Sequence, residues 1–213
     1  MQYRRLGKSG LQVSVLSFGS WVSFSKQIND KVADEFSKYI AKQLIVDASG
    51  NAVENNEAYL IDVKKEQAKA KNGQKRDLPL FVGQKAGQTY YIAPIRGKGL
   101  WDAIWGYVAM DENMVIQGAY FDHKGETPGL GANIKQRYFM DDFNGEKLLT
   151  ASGEFKGITV AKGNNDPKNL IKDDYEVDAL AGATITGDGV SAMIKSDLKL
   201  YLPFFKNLKN QYN

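Results

Sequence analysis

The sequence predicts an α+β fold with mainly antiparallel twisted sheets and a C-terminal helix. Short runs rich in β-branched and aromatic residues alternate with turn residues through the centre of the chain, which is typical of strands in meanders. An apolar pattern at helical spacing extends from Val190 to Leu202 and predicts the closing helix. The 213 residues are enough for one domain with a full core.

Composition excludes several classes of function. The 28 basic and 25 acidic residues give a net charge of +3, which is too weak and dispersed for a nucleic-acid surface. The absence of cysteine excludes disulfides, thiolate nucleophiles and Fe–S clusters, and a single histidine, His123, excludes a multi-histidine metal site. We therefore expect no metal and no role for His123, and any redox chemistry would need an organic cofactor.

No apolar run is long enough to span a bilayer, and no signal peptide is recognisable. The best candidate for a membrane span, Leu11 to Phe24, is interrupted by serines and a glycine. As written, the chain reads as soluble.

The first third of the chain mixes turns, strands and helices. The turn at Lys8-Ser9-Gly10 predicts a hairpin. A helix is expected from Asn29 to Ile40, followed by a strand from Gln43 to Asp47 that pairs with Tyr59 to Val63. The polar stretch from Lys64 to Asp77 predicts a surface helix that continues into a loop.

The central part is the most regular. Alternating strand runs and turns predict two hairpins, then a short helix and a returning strand. The expected elements are strands Leu78–Val82, Thr89–Ile95, Trp105–Met110 and Val115–Phe121, helix Asn133–Asp141 and strand Phe155–Val160.

Three glycine-rich loops need a joint explanation: Arg96 to Trp101, His123 to Gly131, and Asp178 to Thr186. Glycine lets the backbone approach a ligand closely. Trp101 and Leu130 can hold a planar ring between them, while Glu126 and Thr127 address its polar edge.

Thr186 opens the C-terminal helix, where unpaired backbone N–H groups favour an anion such as phosphate. A planar ring plus a phosphate indicates a nucleotide or a flavin. The alternatives are that Thr186 or Asp188 merely caps this helix, and that Glu126 and Thr127 form a capping pair for the helix after Gly131.

Three motifs carry a family resemblance: Arg96-Gly-Lys-Gly-Leu-Trp101, Gly125-Glu-Thr-Pro-Gly-Leu-Gly131, and Asp178-Ala-Leu-Ala-Gly-Ala-Thr-Ile-Thr186. With them, the sequence from about Phe36 to Phe205 resembles the C subunits of Na⁺-translocating NADH:quinone oxidoreductases. It also resembles, more broadly, the covalent FMN-binding domain shared with the G subunit of the related Rnf complex. Ala181 stands where that family usually has Ser or Thr.

The resemblance implies an electron-transfer subunit that carries FMN, joined through its phosphate to the Thr186 hydroxyl, with no catalytic residue of its own. The cofactor-binding residues it implies are Leu100, Trp101, Glu126, Thr127, Gly129, Leu130, Gly131, Lys162, Asp178, Gly182, Ala183, Thr184 and Thr186. It further implies the other reductase subunits and a flavin transferase as partners. The resemblance also implies a domain on the outer face of the bacterial inner membrane, held by a membrane anchor that we expect to be absent from this chain.

The first residues of the chain carry a different resemblance. Leu6-Gly-x-Ser-Gly-Leu-x-Val-Ser14 followed by Gly19-x-Trp21 resembles the N-terminal hairpin of aldo-keto reductases, and the resemblance ends near Glu35. Those enzymes need a complete (β/α)₈ barrel, which does not continue here. We therefore expect an appendage over residues 1–35 and an FMN-binding domain over residues 36–213. The alternatives are an NADPH-dependent carbonyl reductase fragment and a non-catalytic flavin-binding module.

Overall fold

A six-stranded antiparallel sheet forms the centre of the molecule, in the order β4-β3-β5-β6-β7-β8. The computed structural model describes residues 3–6, 11–14, 39–85 and 87–210. The strands of this sheet are β3 (Ile40–Val46), β4 (Ala52–Glu54), β5 (Leu78–Lys85), β6 (Gln88–Lys98), β7 (Ala103–Met110) and β8 (Ile116–His123). The α+β prediction is confirmed.

Strand register brings two of the predicted loops to the same end of the sheet. Lys98 pairs with Ala103 across the tight turn between β6 and β7. Ile104 pairs with His123, the last residue of β8. The turn after β6 and the loop after β8 are therefore neighbours in space.

Helical segments cover the sheet and close the chain. Within the described residues, the α-helices are α1 (Val63–Lys71), α2 (Arg137–Asp142), α3 (Thr184–Met193) and α4 (Leu202–Asn210). Shorter 3₁₀ segments are Ala58–Leu60, Gly131–Lys135 and Lys199–Tyr201, and a π-helical turn, Ile194–Leu198, follows α3 directly.

Helix α3 packs on β6 at a distance that only small residues allow. A Cβ atom on Gly189 would lie 2.3 Å from the Lys98 carbonyl oxygen, and one on Gly97 would lie 2.8 Å from Met193 Cβ. Farther along, Phe205 of α4 contacts Tyr91 edge to face, with ring centroids 5.3 Å apart. The C-terminal helical region is thus fixed to the middle of the sheet at both ends.

Two short strands outside the main sheet lead into α3. β9 (Thr159–Val160) and β10 (Glu176–Val177) pair in parallel. The Ser191 hydroxyl of α3 accepts a hydrogen bond from the Val160 N–H, with the two atoms 2.8 Å apart. This bond joins α3 to the small sheet formed by β9 and β10, which precede the helix in the sequence.

At the N-terminus, β1 (Tyr3–Leu6) and β2 (Leu11–Ser14) form the expected antiparallel hairpin. The helix predicted from Asn29 to Ile40 lies almost entirely outside the described residues. Across the described ranges, no helix combines the length and apolarity needed to cross a bilayer.

Several sequence predictions of secondary structure are wrong in detail. Residues 59–63 do not form the partner strand of β3, because β4 takes that place and Asp62 instead caps α1 by accepting from the Lys64 and Lys65 N–H groups. β6 continues through Lys98, so half of the predicted loop at 96–101 is strand. The strand expected from Phe155 is reduced to Thr159–Val160.

Candidate cofactor site at the end of the central sheet

The three predicted loops converge on one cleft of about 310 Å³. Its walls are the turn after β6, the loop after β8, and the segment that enters α3. The lining residues are Leu100, Glu126, Thr127, Leu130, Gly131, Gly182, Ala183, Thr184, Ile185 and Thr186. Among these residues Glu126 is the one ionisable side chain.

Glu126 joins the three segments through its carboxylate. Oε1 accepts from the Trp101 N–H at 2.9 Å, and Oε2 accepts from the Leu100 N–H at 3.2 Å. Oε2 also accepts a short hydrogen bond of 2.5 Å from the Thr186 hydroxyl at the start of α3. Both Glu126 and Thr186 are buried.

These hydrogen bonds keep Glu126 ionised. Burial alone would raise the pKa of the carboxyl, but the Thr186 hydroxyl and the backbone N–H groups of Trp101, Leu100 and Asp102 outweigh it and hold the pKa below its usual range. The cleft therefore contains a buried carboxylate at neutral pH.

Close packing holds Glu126 against Thr186. A Cβ atom on Gly131 would lie 2.5 Å from Thr186 Oγ1 and 2.6 Å from Glu126 Oε2. Any side chain at this position would separate the two groups. The glycine in the loop after β8 is therefore required by the contact itself.

The two threonines of the motif differ in their surroundings. Thr186 is 1% exposed and donates to Glu126. Thr184 is exposed, and its hydroxyl makes no hydrogen bond within the part of the chain that the structure describes. The fold thus distinguishes between two hydroxyls that the sequence places side by side.

The N-terminus of α3 carries no side-chain cap. Its N-cap residue is Ala183, and neither Thr186 nor Asp188 caps the helix. The capping alternative for this stretch is therefore wrong, and the first-turn N–H groups remain available to an anion. The proposed Glu126–Thr127 capping pair is also wrong, because the 3₁₀ segment after Leu130 has no side-chain cap.

His123 does not line the cleft but holds the backbone of Glu126, which does. Its Nδ1 accepts from the Glu126 N–H at 3.1 Å, so the neutral ring carries its proton on Nε2. Burial and the nearby Lys135 lower the pKa of His123, although Asp122 and Glu126 oppose this shift. Sequence reasoning assigned His123 no role, and only its position three residues before Glu126 could have suggested one.

Four sequence candidates lie outside the lining of the cleft. Trp101 is 66% exposed and lines a neighbouring groove of about 660 Å³ instead, while its indole N–H donates to the Thr127 hydroxyl at 3.2 Å. Gly129 shapes the loop with a φ of 79°. Asp178 lines a separate small hollow, and Lys162 is exposed.

Conversely, Ile185 lines the cleft although sequence reasoning did not select it. Its position between the two motif threonines was the available signal. In the described part of the chain, acidic and histidine side chains do not cluster in a way that could hold a metal ion.

Comparisons with known proteins add to this geometry. A model of the FMN-binding domain family matches residues 99–199, which include all three walls of the cleft. The crystal structure of the C subunit of Na(+)-translocating NADH-quinone reductase from Parabacteroides distasonis aligns with a TM-score of 0.71 and 32% identity. That alignment covers 91% of this chain and 98% of the other. This chain belongs to the family of these C subunits.

Curated C subunits of the same reductase are also similar to this chain in sequence. The protein from Chlamydia muridarum is 38% identical over 134 residues, which are 56% of this chain and 42% of that protein. The protein from Neisseria meningitidis serogroup A is 28% identical over 194 residues, covering 88% of this chain and 73% of the relative. The chain spans less than half the length of the first of these relatives. Family membership and the FMN-binding domain are therefore established for the matched part.

Proposed function

We propose that this chain carries FMN, joined by a phosphoester bond to Thr186 Oγ1, and transfers electrons within a Na⁺-translocating NADH:quinone reductase. One observation carries the proposal. The hydroxyl of a buried threonine lines a cleft at an uncapped helix N-terminus, inside the segment that matches the FMN-binding domain.

The residues of the cleft fit the parts of FMN. Backbone N–H groups in the first turn of α3 suit a phosphate. Leu100, Leu130 and Ile185 are each more than 40% exposed and supply apolar surface for an aromatic ring, and Trp101 stands at the edge of the neighbouring groove. A cleft of about 310 Å³ is at the lower end of the range for ligand sites.

When bound, FMN supplies the redox chemistry, because no side chain of this cysteine-free sequence can do so. The protein binds and orients the cofactor. Gly182, Ala183 and Thr184 line the cleft beside Thr186 and would hold the phosphate end. Glu126 and Thr127 supply polar groups from the loop after β8.

The attachment site can be tested by mass spectrometry. The full chain is co-expressed with a flavin transferase and its intact mass is measured. We expect a gain of one FMN less one water, on the peptide that contains Thr186. Thr186→Ala should abolish the gain, whereas Thr184→Ala, the matched control in the same motif, keeps the Thr186 hydroxyl and should still be labelled, at a reduced rate if the Thr184 side chain contacts the phosphate. Equal labelling of the Thr186→Ala variant would contradict the proposed site.

We also propose that the other subunits of the reductase and a flavin transferase are the partners of this chain, with the flavin domain on the outer face of the bacterial inner membrane. Family membership supports this assignment. Affinity purification of the tagged protein from its native membrane should recover the other reductase subunits. Recovery of the tagged chain alone would count against it.

A further inference from the structure

The Glu126–Thr186 hydrogen bond bears on how a cofactor becomes attached. A threonine hydroxyl must lose its proton when its oxygen forms a bond to phosphorus. Glu126 Oε2 lies 2.5 Å from Thr186 Oγ1 and accepts that proton in a hydrogen bond already. A general base has to be within this reach of the proton that it removes.

We infer that Glu126 is the proton acceptor for covalent attachment of the flavin at Thr186, and that it selects Thr186 over Thr184. This inference rests on the proposed function. The donor is a flavin dinucleotide held by the transferase, since a pyrophosphate provides the leaving group that a simple phosphate monoester lacks.

Thr186 Oγ1 forms a bond to the phosphorus of the flavin phosphate, and the bond from that phosphorus to the bridging pyrophosphate oxygen breaks. The nucleoside monophosphate leaves with the electron pair, and the hydroxyl proton passes to Glu126 Oε2. No atom is oxidised or reduced.

The surroundings of Glu126 suit this role. The carboxylate is ionised beforehand, because hydrogen bonds from Thr186 and the backbone hold its pKa down. Once Thr186 Oγ1 is esterified, its hydrogen bond is lost and an anionic phosphodiester stands nearby. Both changes raise the affinity of the carboxylate for a proton, so it becomes a stronger base as the reaction proceeds.

Backbone amides fix the position of the base. The Trp101 N–H and the Leu100 N–H hold the carboxylate from the turn after β6, and the Glu126 N–H is itself held by His123 Nδ1. The charged groups around this end of the sheet include Asp102 and Lys124, which pair with each other at 2.9 Å, and also Arg96, Asp122 and Lys135. Among the described residues, no lysine or arginine forms an ion pair with Glu126. Glu126 is therefore not neutralised by a cation.

Selection between the threonines follows from the same contact. Thr184 lies closer to solvent and is sterically the easier target, but its hydroxyl forms no hydrogen bond to a carboxylate in the described part of the chain, whereas the Thr186 hydroxyl does. Thr186 is buried and reachable only through the cleft. Proton acceptance, rather than exposure, determines the site.

The test compares Glu126→Gln with the wild-type chain. Glutamine keeps the size and one oxygen acceptor for the backbone amides, but its Nε2 cannot take a proton. Purified transferase and flavin adenine dinucleotide are added to each chain, and flavin incorporation is followed by intact mass over time. We expect Glu126→Gln to label on the order of 100-fold more slowly at pH 7. Thermal unfolding of both unlabelled chains serves as the control for folding.

A pH series separates proton acceptance from mere positioning. The ratio of wild-type to variant rates cancels the pH dependence of the transferase itself. We expect this ratio to shrink as the pH rises from 6 to 9, because hydroxide increasingly replaces the missing base. A ratio that stays constant with pH, or a variant that labels within twofold of wild type, would overturn the inference.

Three further outcomes are decisive. If Glu126→Gln does not fold, Glu126→Asp, which keeps a carboxylate one methylene shorter, should label at an intermediate rate, and a wild-type rate for it would contradict the assignment. If the wild-type chain never gains flavin, both the proposed function and this inference fall. Normal labelling of wild type with an unimpaired Glu126→Gln variant removes the inference alone.

Discussion

Gly131 lies where the loop after β8 comes closest to the start of α3. A Cβ atom there would overlap both Thr186 Oγ1 and Glu126 Oε2. We expect Gly131→Ala to destabilise the fold by about 1–3 kcal/mol, the usual cost of overpacking, and to slow flavin attachment because it separates the two groups. Urea unfolding measures the first effect and intact mass the second.

Gly125→Ala is the matched control in the same loop. A Cβ atom at Gly125 meets only Asp102 Cβ, at 3.9 Å, so this variant should keep wild-type stability and labelling. If both variants behave alike, the contact at Gly131 does not have the importance assigned to it.

At this scale the sequence motifs selected most of the residues that line the cleft, but not the hydrogen bonds between them. The motifs brought Glu126 and Thr186 to attention, and both line the cleft. The hydrogen bond between them joins residues 60 positions apart and depends on the register of β7 with β8 and on where α3 begins. Local sequence patterns carry no information about such a distance.

Among the elements, the π-helical turn after α3 contains a buried acid that ties three segments together. Asp197 accepts from the Arg76 side chain at 3.1 Å, from the Gln67 side chain and from the Arg96 N–H at 2.8 Å. Asp197 therefore connects α1, the loop that follows it, and β6. π turns interrupt the regular helix ladder and commonly occur where a side chain has to reach a special position.

Removing this acid should loosen all three connections. We expect Asp197→Ala to lower the free energy of unfolding by about 3 kcal/mol, because the Arg76 guanidinium and the Arg96 N–H lose a buried acceptor. Chemical denaturation measures the change. Asp188→Ala, an exposed acid in the same helical region, is the control and should be nearly neutral.

The errors of prediction at this scale have a common cause. Residues 59–63 have the composition of a strand, but Asp62 caps α1 and β4 occupies the edge of the sheet beside β3. The C-terminal apolar pattern predicted one helix, whereas the chain divides it with the π turn around Asp197. In both places an aspartate side chain, Asp62 or Asp197, accepts hydrogen bonds that compete with the apolar pattern.

Over the whole molecule, the buried Glu146 makes stability depend on pH. Burial raises its pKa to about 7 although Lys172, whose Nζ lies 3.1 Å from Oε1, opposes the shift. Burial and the nearby Asp178 likewise raise the pKa of Asp142 to about 6. The folded state therefore favours the protonated acids, and this contribution to stability is present at low pH.

The direction of the effect follows from the two pKa values of Glu146. Its contribution is complete below 4.5, the value for the unfolded chain, and is lost as the pH rises through about 7. In wild type, the free energy of unfolding should fall by on the order of 3 kcal/mol between pH 4.5 and about 7 because of Glu146, and Glu146→Gln should remove this fall. Urea unfolding at a series of pH values tests this, with the exposed Glu154→Gln as control. Parallel profiles for wild type and Glu146→Gln would contradict the assignment.

The general architecture could be predicted because hairpins leave strong local signals. The strands from Leu78 to Phe121 alternate with turns, and the structure places them as adjacent strands of one sheet. The parallel pairing of β9 with β10 could not be predicted, since two-residue strands leave no periodic signal and are determined by contacts such as Val160 with Ser191.

The number of residues between the π turn and α4 is also constrained. In a helix each residue turns the chain by about 100°, so gaining or losing one residue between Asp197 and Phe205 would rotate α4 by that angle. Phe205 would then face away from Tyr91, and the helix that closes the core would present its polar side to it. The number of residues in this segment is consequently a stricter requirement than their identity. An insertion or deletion here should be tolerated far less well than a substitution.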